Sequence, residues 1–356
     1  MTRRKPKSLT VTLRDVALES GVSPATVSIV LNNAPLSRYI PPSTKDRIER
    51  AAKKLSYRPK VVSRYLSAKR NRTVGVMVFD ITDPFCTLIL RGIENSLYQA
   101  SYLPILTDVH NQRGRFERYL EMLLARPVEG LIFVANWLFV DIDLIADLEK
   151  RNIPAVMIGR ALGSGAISSV MVDNEAGAHL AMEHLYSLGH RKIAFIRGPK
   201  MLSDSSPRWR GARSFARSVG LEIDPTLILD LPDSLDPNSG YEGGFRLTDE
   251  LLKHKKKFTA IMAFDDMTAF GAIRGLARAG LKVPEDCSVI GFDDVIPAGL
   301  SVPSLTTVRQ PMEALGSAAV GIVMESINAT IEERESMAVH RQLAPELVVR
   351  ESTRAV

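Results

Sequence analysis

The feature that most constrains the fold is a regular alternation, from Thr73 onward, of short branched-apolar runs with amphipathic stretches. Four of the runs are TVGVMVFD, GLIFVAN, KIAFIRG and CSVIGFDD, and helical periodicity spans segments between runs, such as Leu88–Gln99 and Glu175–Leu188. Strands that are apolar on both faces and separated by helices are typical of parallel sheets covered on both sides. The pattern yields about ten strands, which is more than an average sheet holds. It therefore predicts two Rossmann-like α/β lobes, residues 73–172 and 173–300, that meet at a cleft.

The first 72 residues differ from the rest of the chain in charge. They hold 17 Lys and Arg against four Asp and Glu, whereas the remaining residues hold 29 against 36. A basic segment on a mildly acidic body indicates a polyanion partner for that segment alone. A solvated basic tail is the alternative, but such a tail is polar throughout, and this segment carries periodic apolar residues.

Residues 13–32, LRDVALESGVSPATVSIVLN, have the pattern of two short helices joined by a tight turn. Gly21 accepts the left-handed conformation that ends a helix, and Ser23 and Pro24 suit the cap and the first position of the next helix. A third helix with a basic outer face is predicted at 43–55. This is the helix-turn-helix arrangement, whose second helix enters a DNA major groove, with a purely structural corner as the alternative.

The residues of the second helix that face away from its apolar stripe are the candidates for reading DNA. Ala25, Ile29 and Asn32 recur at helical spacing and would meet base edges, while nearby serines are placed to hold phosphates. The full set predicted to contact DNA is Ser23, Pro24, Ala25, Thr26, Ser28, Ile29, Asn32, Tyr57 and Leu66.

Ordered motifs along the whole chain make it similar to the LacI/GalR family of bacterial transcription repressors. They include VTLRDVALESGVSPATVSIVLN, YRPKVVSRYL, TVGVMV, GHRKIAFIRG, VPEDCSVIGFDD and PSLTTVRQP. The resemblance implies an all-α helix-turn-helix headpiece and a type I periplasmic-binding-protein-like core whose chain crosses between the lobes three times. The implied boundaries are 1–58 for the headpiece, 59–72 for a hinge helix and linker, 73–172 plus 303–334 for the first lobe, and 173–302 plus 335–356 for the second lobe.

The segment after the headpiece matches the hinge helix of the family. In the family the paired hinge helices of a dimer enter the minor groove, and the resemblance gives Leu66 the role of the side chain that wedges between bases. Lys60 and Ser63 stand where the family commonly has Asn and Ala. Lys cannot accept the cap hydrogen bonds, and Ser is a poorer helix former than Ala. We therefore expect this hinge to depend on DNA and dimer contacts for its folding.

Polar and aromatic residues follow several predicted strands, which is where ligands of parallel sheets bind. The resemblance assigns effector contacts to Phe85, Arg208, Asp265 and Asp293. The full predicted effector-binding set is Phe85, Asn136, Asp204, Arg208, Asp265 and Asp293. Because carboxylates accept hydrogen bonds from hydroxyl groups and arginine donates in a fork, the set suits a small polar effector such as a sugar or sugar derivative.

The same positions also have structural explanations. Asp265 precedes a predicted helix and suits a helix cap, Arg208 could be an ordinary surface arginine, and Asp294 is better explained as structural. Leu235 stands where the family often stacks an aromatic on the ligand, and Gly159 stands where some members have a ligand-binding Asp. The identity of the effector therefore stays open.

Motifs of common enzyme classes are missing from the sequence. It contains no G-x-G-x-x-G, G-x-x-x-x-G-K-[ST], G-x-S-x-G or H-E-x-x-H pattern. His179 and His184 are five residues apart, which is the wrong spacing for two metal ligands on one helix face. We therefore expect no catalysis, no cofactor and no metal, although a sugar-binding protein or α/β enzyme with an incidental basic extension remains the alternative.

Cysteine usage and hydropathy bear on the cellular compartment. Cys86 and Cys287 lie far apart, no apolar signal segment follows the basic N-terminus, and no run of about 18 apolar residues is evident. A cytoplasmic protein without a membrane anchor is predicted. No leucine heptads follow Arg350, so we expect a homodimer on a near-palindromic double-stranded operator rather than a tetramer.

Overall fold

The computed structural model describes residues 11–31, 35–57, 71–135, 148, 152–161, 167–234, 236, 239–253, 257–335 and 337–356. The chain divides into two compact units, Met1–Asn71 and Arg72–Val356.

The first unit contains the predicted helix-turn-helix. Its helices are α1 (Leu13–Ser20), α2 (Pro24–Leu31) and α3 (Pro42–Lys54), with a short 3-10 helix at Pro35–Tyr39. Gly21 adopts the left-handed conformation between α1 and α2, with a φ of 66°, and its N–H donates to the carbonyl of Ala17. The core draws on all three helices: Val16, Ala17, Val27, Val30, Ile48, Ala51 and Ala52. The predicted helices and the glycine turn are thus confirmed.

The second unit alternates strands and helices. Its strands are β1 (Thr73–Val78), β2 (Leu103–Asp108), β3 (Gly130–Val134), β4 (Ala155–Ile158), β5 (Ser168–Val172), β6 (Ile193–Arg197), β7 (Ile228–Asp230), β8 (Ala260–Ala263), β9 (Ser288–Asp293), β10 (Thr306–Arg309), β11 (His340–Leu343) and β12 (Glu346–Val348). Its helices are α4 (Pro84–Gln99), α5 (Arg113–Leu124), α6 (Asn174–Ser187), α7 (Ser205–Ser218), α8 (Ser239–Lys253), α9 (Asp266–Arg278), α10 (Ile296–Leu300) and α11 (Met312–Ile331), and a 3-10 turn lies at Pro225–Leu227.

The strands form two sheets, one in each lobe. The first sheet has the order β11-β5-β4-β3-β1-β2, and all its strands are parallel. The second sheet has the order β12-β10-β9-β8-β6-β7, and it is parallel except for the β10–β12 pair. Because each sheet carries apolar clusters on both faces, the predicted pair of α/β lobes is confirmed.

The returning segments differ from the boundaries that the resemblance implied. β10 pairs with β9 and so belongs to the second lobe, although residues 303–334 were assigned to the first. β11 pairs with β5 of the first lobe, although residues 335–356 were assigned to the second. The chain therefore changes lobes between β10 and α11 and again between β11 and β12. Partner choice among parallel strands decides these crossings, and apolar periodicity does not report it.

Helix α11 is the most apolar helix of the first lobe. By length and mean hydropathy (1.4) it qualifies as a candidate membrane span, a stretch that the sequence analysis did not recognise. Its face containing Leu315, Ala319, Val323 and Ile327 is buried in the core, and the helix packs against α4 and the strands β3 to β5. It is therefore a core helix of the lobe.

Helices α4 and α11 approach each other closely at two glycines. A Cβ on Gly316 would overlap the carbonyl oxygen of Ile89, and a Cβ on Gly92 would overlap that of Glu313. Gly321, on the exposed side of the same helix α11, has nothing within 4 Å of an added Cβ. The packing of this helix pair thus requires glycine at position 316 of α11 but not at position 321.

Gly316→Ala is expected to lower the free energy of unfolding by about 1–3 kcal/mol, since the two backbones must separate to admit a methyl group. Gly321→Ala is the matched control and should raise that free energy by about 0.5–1 kcal/mol, because alanine favours the helix. Urea denaturation of the two variants measures the difference. Equal effects would mean that the close approach is absent.

Candidate functional site

The exposed face of α2 carries the residues predicted to read DNA. Ser23, Pro24 and Ala25 are exposed and Thr26, Ser28 and Ile29 are half-buried, whereas Val27 and Val30 face the headpiece core. The Ser23 hydroxyl accepts the backbone N–H of Thr26 at 3.1 Å and so caps α2. The ring of Tyr57 packs against the headpiece core.

Several predicted positions lie outside the described residues. They are Asn32, Lys60, Ser63 and Leu66 of the headpiece and hinge, and Asn136 and Leu235 of the lobes. Their predicted roles stay predictions.

A cleft of about 1020 Å³, open to solvent, lies between the two lobes. It is at the carboxyl ends of the parallel strands, which is the place that ligands of such sheets occupy. Five of the predicted effector residues line it: Phe85, Asp204, Arg208, Asp265 and Asp293. The structure therefore places residues that are up to 208 positions apart in the sequence in the lining of one cleft. Phe85 and Asp293 are the most distant pair.

Arg208 is the centre of the second-lobe wall of the cleft. It is 6% exposed, so the surface-arginine explanation is wrong. Its guanidinium donates to the Asn174 side chain at 2.8 Å, to the Phe264 carbonyl at 2.7 Å and to Asp293 at 3.2 Å. The rings of Phe292 and Phe264 lie 3.7 and 4.7 Å from the guanidinium carbon. Arg208 is therefore held rigidly, with its planar faces against aromatic rings.

Asp293 links Arg208 to the segment that crosses between the lobes. Gln310, buried between β10 and α11, donates to the Asp293 carboxylate at 2.5 Å. Burial raises the pKa of Asp293 well above its usual value, and the positive charge of Arg208 opposes that rise. Asp293 also has a φ of 119°, in the left-handed region that disfavours side chains. A ligand that contacts Asp293 is thus one hydrogen bond away from the crossing segment, and a ligand that contacts Arg208 is two hydrogen bonds away.

Asp83 and Asp265 both cap helices and line the cleft. Asp83 accepts the backbone N–H of Phe85 at 3.0 Å at the start of α4, and Asp265 accepts that of Thr268 at 2.7 Å at the start of α9. The helix-cap explanation and the ligand explanation are therefore compatible. Burial raises the pKa of Asp83 to about 6, with the charges of Asp265, Asp80 and Asp204 adding to the rise.

Two neighbouring aspartates are structural. Asp266 is fully buried, accepts hydrogen bonds from the Val295 backbone and the Thr307 hydroxyl, and has its pKa raised to about 8 by burial. Asp294 forms ion pairs at 2.6 Å with Arg309 and with Arg350, as its predicted structural role requires. These contacts tie the ends of β9 and β10 together beneath the cleft.

The sequence analysis missed several residues of the cleft. Asp80 ends the apolar run of β1, so the rule that selected the other strand-end residues also applies to it. Gln310, Phe264 and Asp236 also line the cleft. Gln310 lies in the quoted motif PSLTTVRQP, but its place in the cleft was not predicted because it depends on the crossing between lobes. In the part of the chain that the structure describes, no group of three His, Cys, Asp or Glu is arranged to hold a metal ion.

Family models match both units of the chain. Residues 12–60 match the model of bacterial regulatory proteins of the lacI family, and residues 182–353 match a periplasmic binding protein-like domain. The chain is 33% identical over 343 residues to the HTH-type transcriptional repressor PurR of Serratia proteamaculans, covering 96% of each protein. It is 30% identical over 355 residues to the repressor CytR of Escherichia coli, covering 99% of each.

Solved structures give the same result. The lac repressor dimer bound to operator and the anti-inducer ONPF matches with a TM-score of 0.82 and 27% identity, over 97% of this chain and 100% of that one. The CelR–cellobiose complex matches with a TM-score of 0.70 and 30% identity, over 96% of this chain and 99% of that one. With relatives at 30% identity or more along nearly its whole length, the chain belongs to the LacI family of helix-turn-helix transcriptional repressors, which are not enzymes and carry a periplasmic-binding-protein-like effector domain.

Proposed function

We propose that this protein is a cytoplasmic, sequence-specific repressor whose affinity for a near-palindromic operator is controlled by a small hydroxyl-rich effector, a sugar or sugar derivative, bound between its lobes. The observation that carries the proposal is the cleft in which Arg208, Asp293 and Gln310 form one hydrogen-bonded chain. CelR, with its bound cellobiose, and a LacI-family regulator of Enterococcus faecium with bound ribose support the sugar class. We propose effector contacts for Phe85, Asn136, Asp204, Arg208, Asp265 and Asp293.

The proposed DNA-binding surface is the exposed face of α2. Ala25 and Ile29 present apolar surface to base edges, for which thymine methyl groups are suitable targets, and Thr26 adds a polar contact. Ser23 and Ser28 hold phosphates, and Asn32 and Tyr57 of the headpiece together with Leu66 of the hinge complete the contact set. The surplus of basic residues in the first unit supplies the attraction to the DNA backbone that does not depend on sequence.

We propose that the functional form is a homodimer. Leu103 and Leu106 are exposed apolar residues on β2, which is an edge strand of the first sheet. In the second lobe, Leu300 and Val302 are 77% and 95% exposed. An apolar edge strand left in water is prone to unwanted pairing, so a second copy that covers it stabilises the protein. The operator-bound lac repressor is a dimer, and a dimer of this chain gives the two-fold symmetry that a palindrome requires.

The proposed coupling runs through the segment between β10 and α11. An effector that binds Arg208 and Asp293 differently in the open and closed lobes changes the equilibrium between the two states. Gln310, which is bonded to Asp293 in the crossing segment, moves with that equilibrium. The spacing of the two hinges in a dimer changes in turn, and so does operator affinity.

Selection of random duplex DNA on the full-length protein tests the proposal. We expect two inverted half-sites, an affinity at least about 1,000-fold above that for unrelated DNA, and a steep loss of both affinities with added salt. A thermal-shift screen of sugars and nucleosides then finds compounds that bind the native state. Absence of any sequence preference, with or without these compounds, would contradict the function.

A further inference from the structure

The described lining of the cleft is strongly acidic. It contains six carboxylates and a single basic side chain, Arg208. The carboxylates come from both lobes: Asp80, Asp83, Asp204, Asp236, Asp265 and Asp293. Two of them, Asp83 of the first lobe and Asp265 of the second, lie at the starts of helices and cap them.

The one positive charge is already neutralised by the protein. Arg208 lies 3.2 Å from Asp293 and 3.8 Å from Asp204, and two of its nitrogens donate to Asn174 and to the Phe264 carbonyl. Its planar faces are covered by aromatic rings. An anionic ligand would therefore find no basic side chain along the described wall whose charge is not already paired with a carboxylate.

Carboxylates of the second lobe raise the pKa of Asp83, a carboxylate of the first lobe, across the cleft. Asp265 and Asp204 of the second lobe, together with Asp80 beside it, add to the effect of burial in raising the pKa of Asp83. Like charges that face each other across an interface oppose its closing, and a positive or hydrogen-bond-donating group placed between them favours closing.

A buried hydroxyl lies beside Asp265. Thr268 is fully buried, and its Oγ1 has no hydrogen-bond partner among the described residues. Gly240 lines the cleft at this point, and a Cβ there would lie 3.4 Å from both Thr268 Oγ1 and Asp265 Oδ1. The absence of a side chain at Gly240 leaves room for a ligand group beside the Asp265 carboxylate.

We propose that the effector is a hydrogen-bond donor of zero or positive charge that bridges Asp83 of one lobe and Asp265 of the other, and that phosphorylated or carboxylated compounds are excluded. This inference rests on the proposed function and specifies the chemistry of its effector. Hydroxyl and ammonium groups donate to carboxylates, whereas a phosphate or carboxylate adds a like charge that the cleft leaves unpaired.

Thermal-shift titration with matched sugars tests the charge rule. The panel holds pentoses and hexoses, each as the neutral sugar, the amino sugar, the phosphate and the uronic acid. We expect the binders to be neutral sugars or amino sugars, with their anionic counterparts at least 100-fold weaker. The Asp83→Asn/Asp265→Asn double variant should reduce that ratio at least tenfold. An anionic member that binds as tightly as its neutral parent would overturn the charge rule and leave the effector function intact, whereas a panel with no binder at all would contradict the effector function itself.

A second measurement needs no ligand. The pKa of Asp83 in the folded protein, about 6, is above its ordinary value of 3.8, so the folded state binds the proton more tightly than the unfolded state. Stability therefore falls as the pH rises from about 4 to 6. Asp83→Asn keeps the helix cap and should raise the Tm by about 3 °C or more above pH 7, with a smaller gain at pH 4.

Asp224→Asn is the matched control for this measurement. Like Asp83, Asp224 accepts the backbone N–H of the residue two positions later, which here is Thr226 at 2.9 Å. Asp224 lies outside the described cleft lining. Asp224→Asn should not raise the Tm above pH 7, because no wall of carboxylates faces this position in the described cleft. If Asp83→Asn behaves like this control, the crowding of negative charge at Asp83 is absent and the proposal fails.

Discussion

Arg208→Ala is expected to lower the free energy of unfolding of the effector unit by about 3–5 kcal/mol, because it leaves the buried Asp293 without its positive partner. The substitution also strips hydrogen-bond donors from Asn174 and from the carbonyl of Phe264. Urea denaturation at pH 7.5 measures the loss. The burial of Arg208 thus adds a folding role to the effector contact that the resemblance assigns to this residue.

The control for this experiment is Arg213→Ala on the exposed side of the same helix, α7. Its effect should stay within about 0.5 kcal/mol, as is usual for surface substitutions. Adding Asp293→Asn to Arg208→Ala should recover part of the lost stability, since the unpaired buried charge is then removed. If Arg208→Ala unfolds like Arg213→Ala, the guanidinium contributes nothing to the second lobe.

Operator binding tests whether Arg208 acts beyond folding. At a temperature where Arg208→Ala is still folded, we expect operator affinity close to that of the wild type and no response to effector, since α2 lies in the other unit. If operator affinity and effector response were lost together, Arg208 would have a role in folding alone.

Local sequence signals located most secondary structure and the strand-end residues of the cleft. Apolar runs followed by polar or aromatic residues predicted the strand ends at which Phe85 and Asp265 lie, because parallel strands all end at the same edge of a sheet, and the resemblance assigned the effector contacts to these two residues. Helix starts were less accurate: helical periodicity was recognised from Leu88, whereas α4 begins at Pro84. Pro84 lies in the first turn, where its missing N–H costs no hydrogen bond.

Features that depend on distant partners could not be predicted from local patterns. The sheet that β10 and β11 each join depends on which strand has a free edge. The pairing of β10 with β9 in turn places Gln310 beside Asp293. The burial of Arg208 depends on Phe264 and Phe292, which come more than fifty residues later. The net charge of the lobe likewise did not predict the acidic cleft, because acidic residues spread over the outer surface would give the same net charge.

Deletion of Met1–Asn71 is expected to abolish specific operator binding, with a loss of at least about 1,000-fold in affinity. Sequence-independent binding should disappear as well, because the remaining chain is net acidic and repels DNA. Thermal shifts with effector should be unchanged, since the described cleft lies wholly within Arg72–Val356. Fluorescence anisotropy with operator DNA and thermal-shift assays on one preparation measure both. Retained operator binding by the truncated chain would contradict the assignment of DNA binding to the first unit.

A single substitution separates loss of the DNA-binding surface from loss of the whole headpiece. Ala25 is exposed in the first turn of α2, so Ala25→Asp leaves the buried Val27 and Val30 untouched. An acidic side chain in the first turn interacts favourably with the helix dipole, and headpiece stability should therefore hold or rise slightly. In the major groove the same carboxylate faces phosphates and base acceptors, and operator affinity should fall at least 100-fold. Unchanged affinity in a headpiece with normal circular dichroism would mean that another surface of this unit contacts DNA.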